Sequence, residues 1–336
     1  MSSERLSDAV AEANSARPLL SVIVNFHNMR REAERTLYSL SPRYQQGISR
    51  EDYEVLAIDN GSSQPLDAEF VASFSDNCSY YFEDTESPSP CRAINAAARR
   101  ARGEYLVVMI DGARMLSPGI LSLMKLAQRM YPRCFAYTSI MHLGHRRQGA
   151  NLKKGYNQRA EDKMLANIDW QGDGYRLFEV SSLGGSAVHG LLGRNDESGC
   201  FMIKRSDYLD LGGYCEEFVS PGGGLVNLDL FKLIQQREEI QPIVLLGEAT
   251  FHQFHGGVIT NVPRAASPWE SFAQEYEQIR GKPFCPVARA PLYVGTIGEQ
   301  CRRFLPAPRP PLWARAYRAS GRPCLPLLRR IKSIMR

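Results

Sequence analysis

Apolar runs that stop abruptly on polar side chains recur along this chain. Leu19–Phe26 is rich in aliphatic and β-branched residues and reads as a first strand whose end carries Asn25, His27 and Asn28. Tyr53–Ile58 repeats the arrangement and stops at Asp59 and Asn60, before a Gly61-Ser62 turn. Tyr105–Ile110 is unbroken and apolar, as in a strand buried on both faces, and it stops at Asp111-Gly112. Helical spacing intervenes at about Arg31–Leu40, Ala93–Arg102 and Gly119–Met130, with Gly103 placed to end the second helix. Further strands are expected at Ser79–Glu83, Cys134–Met141, Ser198–Lys204 and Ile243–Leu246. Strands alternating with helices predict an α/β fold, a mainly parallel sheet flanked by helices. Ligands of such sheets bind beyond the strand ends, so three polar ends on one edge describe a site. Each Asp taken singly has a plainer explanation as a cap of the following turn.

The periodicity fails in two places. From His142 to Asn195 the chain is rich in Gly, Asn, Gln and charge, with isolated Tyr156, Trp170, Tyr175 and Phe178. Aromatics in a long irregular segment favour a binding loop over disorder. Trp170 fits either a platform on which a ligand stacks or the filling of a loop core. At 222–224 three glycines open a helix, a place where a ligand can approach backbone donors.

Composition adds limits rather than a function. The 336 residues are 43% hydrophobic and 23% charged, ordinary for a globular protein, and no apolar run approaches the ~20 residues that span a bilayer. Eight scattered cysteines without metal-type spacing read as reduced thiols, which favours the cytoplasm. From Arg302 to Arg336 there are ten basic residues and no acidic one. Such a tail is a solvated basic segment or a peripheral contact with the inner, anionic face of a membrane. No nucleic-acid reader motif accompanies it, so no nucleic-acid partner is expected.

The ordered series VIVNFHN, VLAIDNGSS, NAAARRARGEYLVVMIDGARMLSPG, FMIKRSDYLDLGGYCEEF and GGGLVNLDLF resembles the family 2 glycosyltransferases of the GT-A, Rossmann-like fold. The resemblance runs from about Leu19 to Gly257. It divides the chain into a lead-in at 1–18, a transferase domain at 19–260 with an acceptor-side segment at 142–197, and a helical or irregular extension with the basic tail at 261–336. It implies transfer of a sugar from a nucleotide-sugar donor to a saccharide or lipid-linked acceptor, in cell-surface polysaccharide or glycoconjugate synthesis. Under it, Asn25, His27 and Asp59 lie at the nucleotide, Asp59 reading a base N–H, and Arg92 and Asn95 lie near the diphosphate and ribose.

Asp111 matches the first Asp of the family's Asp-x-Asp motif, and the second is Ala113. The Mn²⁺ or Mg²⁺ that the motif implies therefore loses a ligand. Arg114 is the candidate for stabilising the leaving group in its place, and His255, or else His252, for completing a metal site with Asp111. The Glu-Asp pair that supplies the base in inverting members falls on Val226 and Asn227, and an amide is no base. Asp229 is the candidate base, with Glu216 and Glu217 in reserve. The missing carboxylates also fit a second reading, a sugar-nucleotide-binding module without catalysis.

Overall fold

The computed structural model describes residues 17–287 and 289–305. The polar lead-in to residue 16 and the tail from 306 onward, including most of the basic run, lie outside the described residues.

The three apolar runs form the middle of a ten-stranded sheet. β1 (Leu20–Phe26), β2 (Tyr53–Asn60) and β4 (Tyr105–Met109) are buried at every position. Around them lie β3 (Cys78–Glu83), β5 (Arg114–Leu116), β6 (Cys134–Leu143), β7 (Ser181–Leu183), β8 (Phe201–Lys204), β9 (Gln241–His252) and β10 (Leu292–Gly295). The order is β10-β9-β6-β8-β4-β1-β2-β3, with β5 paired to β9 and β7 to β6. Along that path only β8 runs antiparallel to its neighbours, so the mainly parallel sheet is present.

Alternation along β1 builds the two layers. Val22 and Val24 face the helices Arg30–Leu40 and Ile120–Met130, packing with Leu37, Leu40, Leu121 and Met124. Ile23 faces the other side, with Ile94 and Ala97 of the helix Cys91–Arg100 and Val226, Leu230 and Ile234 of the helix Val226–Gln235. Gly103 has a different task from the helix-ending one expected of it. A Cβ there would stand 2.6 Å from the Ser21 nitrogen, so glycine is required where the chain passes close under β1.

Two expectations change in ways that matter for the site. The late strand does not stop at Leu246: Gly247 takes φ +80°, the pairing with β6 shifts register, and β9 continues to His252. The segment after Asp111 is also a strand, β5, and it sets Arg114 opposite His252.

The segment 142–195 is more ordered than its composition suggested. It contains the helix Gln158–Ala166, a 3-10 turn at Gly174–Val180 and β7, and buries Leu165, Trp170, Leu177 and Phe178 against Met115, Met141 and Phe251. Trp170 is 8% exposed and meets Tyr38 and Tyr44 edge-on at 5.3 and 6.0 Å, so it fills a core. Residues beyond 260 join the same body: Phe272 and Tyr276 of the helix Trp269–Arg280 pack in the second layer, and β10 lies on β9. No described helix is long and apolar enough to cross a membrane, and the seven described cysteines are free.

Candidate functional site

Parallel pairing aligns the strand ends. Phe26 is in register with Asp59 and Val24 with Met109, so Asn25, Asp59 and Asp111 come to one edge. Asn25 is buried, and its Oδ1 has no partner. His27 Nδ1 lies 2.8 Å from the Asn60 carbonyl, which only accepts, so Nδ1 carries the proton. Asn28 has φ 52° and fastens the next loop: its nitrogen donates to Ser62 Oγ, and its Oδ1 accepts from Ser63 Oγ and the Gln64 nitrogen.

Two expected nucleotide contacts are used internally. Asp59 is 1% exposed, and its two carboxylate oxygens accept from the Ser62 and Leu66 nitrogens at 3.0 and 2.9 Å. Closed to solvent, it shapes the loop after β2 and has no face for a base. Asn95 is 4% exposed. Its Oδ1 accepts from Tyr208 Oη and the Tyr214 nitrogen, while Nδ2 donates to the Tyr214 carbonyl and to Glu216, leaving nothing for a ribose. Arg92 does remain available, with its side chain 80% exposed and only a 3.4 Å contact to Glu216.

Asp111 is where titratable groups converge. Its Oδ2 lies 3.1 Å from His252 Nε2 and 3.3 Å from Arg114 Nη2, and its Oδ1 lies 3.8 Å from His255 Nε2. Burial pushes the Asp111 carboxyl up, but His255, Arg114 and His252 outweigh it and hold the group well below the usual carboxylate range. His252 is moved down to about 4, chiefly by burial, so it is a neutral imidazole near pH 7.

Its tautomer follows from the neighbours. Gln148 Nε2 donates to the His252 carbonyl, so Gln148 Oε1 points the other way, accepting from Asn261 Nδ2 and facing His252 Nδ1 at 2.8 Å. Nδ1 must then be the donor, and the Nε2 lone pair is left aimed at Asp111. Asn261 Oδ1 in turn accepts from the nitrogens of His255, Gly256 and Gly257, which fixes the loop carrying the second imidazole. His255 Nε2 also lies 3.2 Å from His252 Nε2, so a proton of that imidazole, or a cation, can stand between the His252 lone pair and the carboxylate. The donor set of one carboxylate and two imidazoles suits a divalent metal such as Mn²⁺. Ala113 is fully buried, so the position of the family's second Asp contributes no ligand.

Arg114 is 9% exposed, and its Nε and Nη1 have no acceptor in the protein. Gly199 makes the room, since a Cβ there would sit 2.8 and 2.9 Å from those nitrogens. Buried guanidinium donors without partners are rare and match an anion supplied from outside. The same side chain lines an open cleft of about 1070 Å³ together with His142, Glu197, Leu228 and Trp269.

Residues 21–169 match the family model described as glycosyl transferase family 2. That segment therefore carries the sequence pattern of the family. A crystal structure of S. aureus TarS has the same fold, with TM-score 0.51 at 15% identity over 81% of this chain and 40% of that one. A second TarS structure, of residues 1–349 in complex with UDP-GlcNAc, gives TM-score 0.49 at 14% identity, over 77% and 65%. The chain therefore spans less than two thirds of each TarS chain's length. No curated protein matches the sequence. The α/β architecture is thus the GT-A fold of the family 2 glycosyltransferases. Asp111 and Arg114 fall inside the family segment, whereas His252 and His255 reach them from outside it.

Asn227 stands where the resemblance placed the base of inverting members. Asn227 is held by Tyr214, Glu197 and Ser198. Asp229, the candidate base, is 2% exposed, and both its oxygens accept from the Arg280 fork at 3.0 and 2.5 Å. It joins two helices and presents no free oxygen to an acceptor. Glu216 and Glu217 are exposed and neither lines the cleft, Glu216 lying beside Arg92 and Asn95. Sequence reading passed over Gln148 and Asn261, whose signal was only their nearness to His142 and to the His-x-x-His pair. It also passed over Glu197, hidden in an irregular run.

Proposed function

We propose that this protein transfers a glycosyl group from a nucleoside-diphosphate sugar to an acceptor hydroxyl, with the diphosphate seated at Asp111 and Arg114. The observation that carries the proposal is the convergence of Asp111, His252 and His255 on one point beside a buried arginine with two unpaired N–H groups. Those features call for a cation and an anion together, and a metal-bound diphosphate supplies both.

Asp111, His252 and His255 would hold a Mn²⁺ or Mg²⁺ ion, which as a Lewis acid would neutralise charge on the departing diphosphate. Arg114, which lines the cleft and is held by its pairing with Asp111, would donate to the same diphosphate. The nucleotide would lie along the strand ends that carry Asn25 and His27, with the exposed Arg92 at the rim. The acceptor enters by the cleft beyond Arg114. A saccharide or lipid-linked acceptor of cell-surface synthesis is the family-level expectation, and the basic tail would approach an anionic membrane.

The test is release of nucleoside diphosphate from a panel of UDP-, GDP- and dTDP-sugars, with and without Mn²⁺, by the full chain and by Asp111→Asn. Turnover of one donor that falls in Asp111→Asn is expected. Turnover equal in both contradicts the proposal. Ala113 and Asn227 favour a second reading, a binding module without catalysis, which would bind one nucleotide and release nothing from any donor.

A further inference from the structure

The Asn227 side chain is fixed in one orientation. The Ser198 carbonyl only accepts, so Nδ2 must face it, at 3.1 Å, and Oδ1 accepts from Tyr214 Oη at 2.9 Å. The remaining Nδ2 hydrogen points to Glu197 Oε2 at 3.0 Å. An amide committed in this way orients a carboxylate without placing a positive charge against it.

Glu197 is half-buried and lines the cleft that Arg114 lines. Gly199, two positions on, is the residue the Arg114 guanidinium packs against, and Glu197 lines the same cleft as the arginine assigned to the leaving group. Among the described residues Glu197 Oε1 has no hydrogen-bond or ion-pair partner. Other carboxylates on the cleft are placed differently. Asp196 is paired with Arg194 at 2.8 Å, and Glu270 is exposed in the first turn of its helix.

We propose that Glu197 is the general base that accepts the proton of the acceptor hydroxyl, with Asn227 as its positioning residue. The assignment rests on the glycosyl-transfer reading above. The acceptor O–H bond breaks and its proton passes to Glu197 Oε1. The freed oxygen pair forms the bond to the anomeric carbon, and the anomeric C–O bond breaks with its electron pair leaving on the diphosphate. A single displacement of this kind inverts the anomeric centre. The carboxylate absent from the glycine-led helix is thus supplied by the segment before β8, and the amide in its old place holds it.

The experiment follows turnover of whichever donor the full chain accepts, with nucleoside-diphosphate affinity measured calorimetrically on the same samples. Glu197→Gln and Glu197→Ala should lower kcat by about 100-fold or more, the usual size of general-base catalysis, with nucleotide affinity unchanged. Formate should restore part of the activity of Glu197→Ala and none of that of Glu197→Gln. Glu197→Asp should retain more activity than Glu197→Gln, and Asn227→Leu should lower kcat with little change in KM. Wild-type kcat in Glu197→Gln, or Glu197→Asp below Glu197→Gln, overturns the assignment while leaving glycosyl transfer standing. A wild-type chain that neither binds nucleotide nor consumes donor overturns glycosyl transfer and this assignment together.

Discussion

Asp59 and Asp111 lie at the ends of β2 and β4, the two strands that flank β1, and the sequence around them is alike: an apolar run, the acid, then a glycine-containing turn. Their surroundings differ completely. Asp59 has its oxygens filled by two backbone N–H groups of its own loop and is shut from solvent. Asp111 is met by two imidazoles and a guanidinium, one imidazole offering a lone pair and the guanidinium two unpaired donors. A carboxylate that is satisfied shapes the protein, whereas one whose neighbours are unsatisfied marks where a ligand belongs. Asp229 and Glu197 repeat the contrast, one clamped by Arg280 and the other held by a single amide.

The sharpest way to break this comparison is to neutralise the open group. Asp111→Asn and Arg114→Ala should each cost donor turnover on the order of 100-fold or more, the effect of deleting one preorganised stabiliser, about 2.7–4 kcal/mol. A wild-type rate in either variant would remove the substituted residue from the chemistry. Asp229→Ala should do the opposite, leaving kcat within about twofold while lowering stability by about 2–3 kcal/mol in denaturant titrations. That figure lies below the ~3–5 kcal/mol of a fully buried pair because Arg280 keeps contact with water. Asp59→Ala should lower stability by about 1–3 kcal/mol, since two buried N–H groups lose their acceptor, and should weaken nucleotide binding only through the loop they hold.

The smallest expected effect is a pH slope. Glu248 is a satisfied carboxylate like Asp59, accepting from Ser117 Oγ, the Gly119 nitrogen and Tyr175 Oη. Burial nevertheless raises its pKa above 4.5, with those donors opposing the shift. A raised carboxyl binds more protons folded than unfolded, so its contribution to stability is full below pH 4.5 and is lost as pH rises through the folded value. Glu248→Gln should flatten that part of the stability profile above pH 4.5 in urea titrations, and an unchanged slope would show that Glu248 does not titrate there.

Much of this was readable from residue order. Apolar runs with polar ends located β1, β2 and β4 because strands buried on both faces leave a continuous signal, and the family series placed Asp111 and Arg114. Ligand status was harder to read, because it depends on partners distant in sequence. Asp59 and Asp111 differ by what faces them, and Arg280 lies 51 positions from Asp229. His252 was read as following the strand, since the glycine bulge at 247 masks the continuation of β9. Glu197 carried no periodic signal at all, and only the fixed amide of Asn227 reveals it.

The most direct measurement is a calorimetric titration of UDP, GDP and dTDP into the full chain with and without Mn²⁺, repeated with Asp111→Asn and His252→Gln. The account predicts that one nucleotide binds the wild type more tightly with Mn²⁺, and that the Mn²⁺ dependence disappears in both variants. Binding that is equally tight without the ion and unchanged in Asp111→Asn would contradict it.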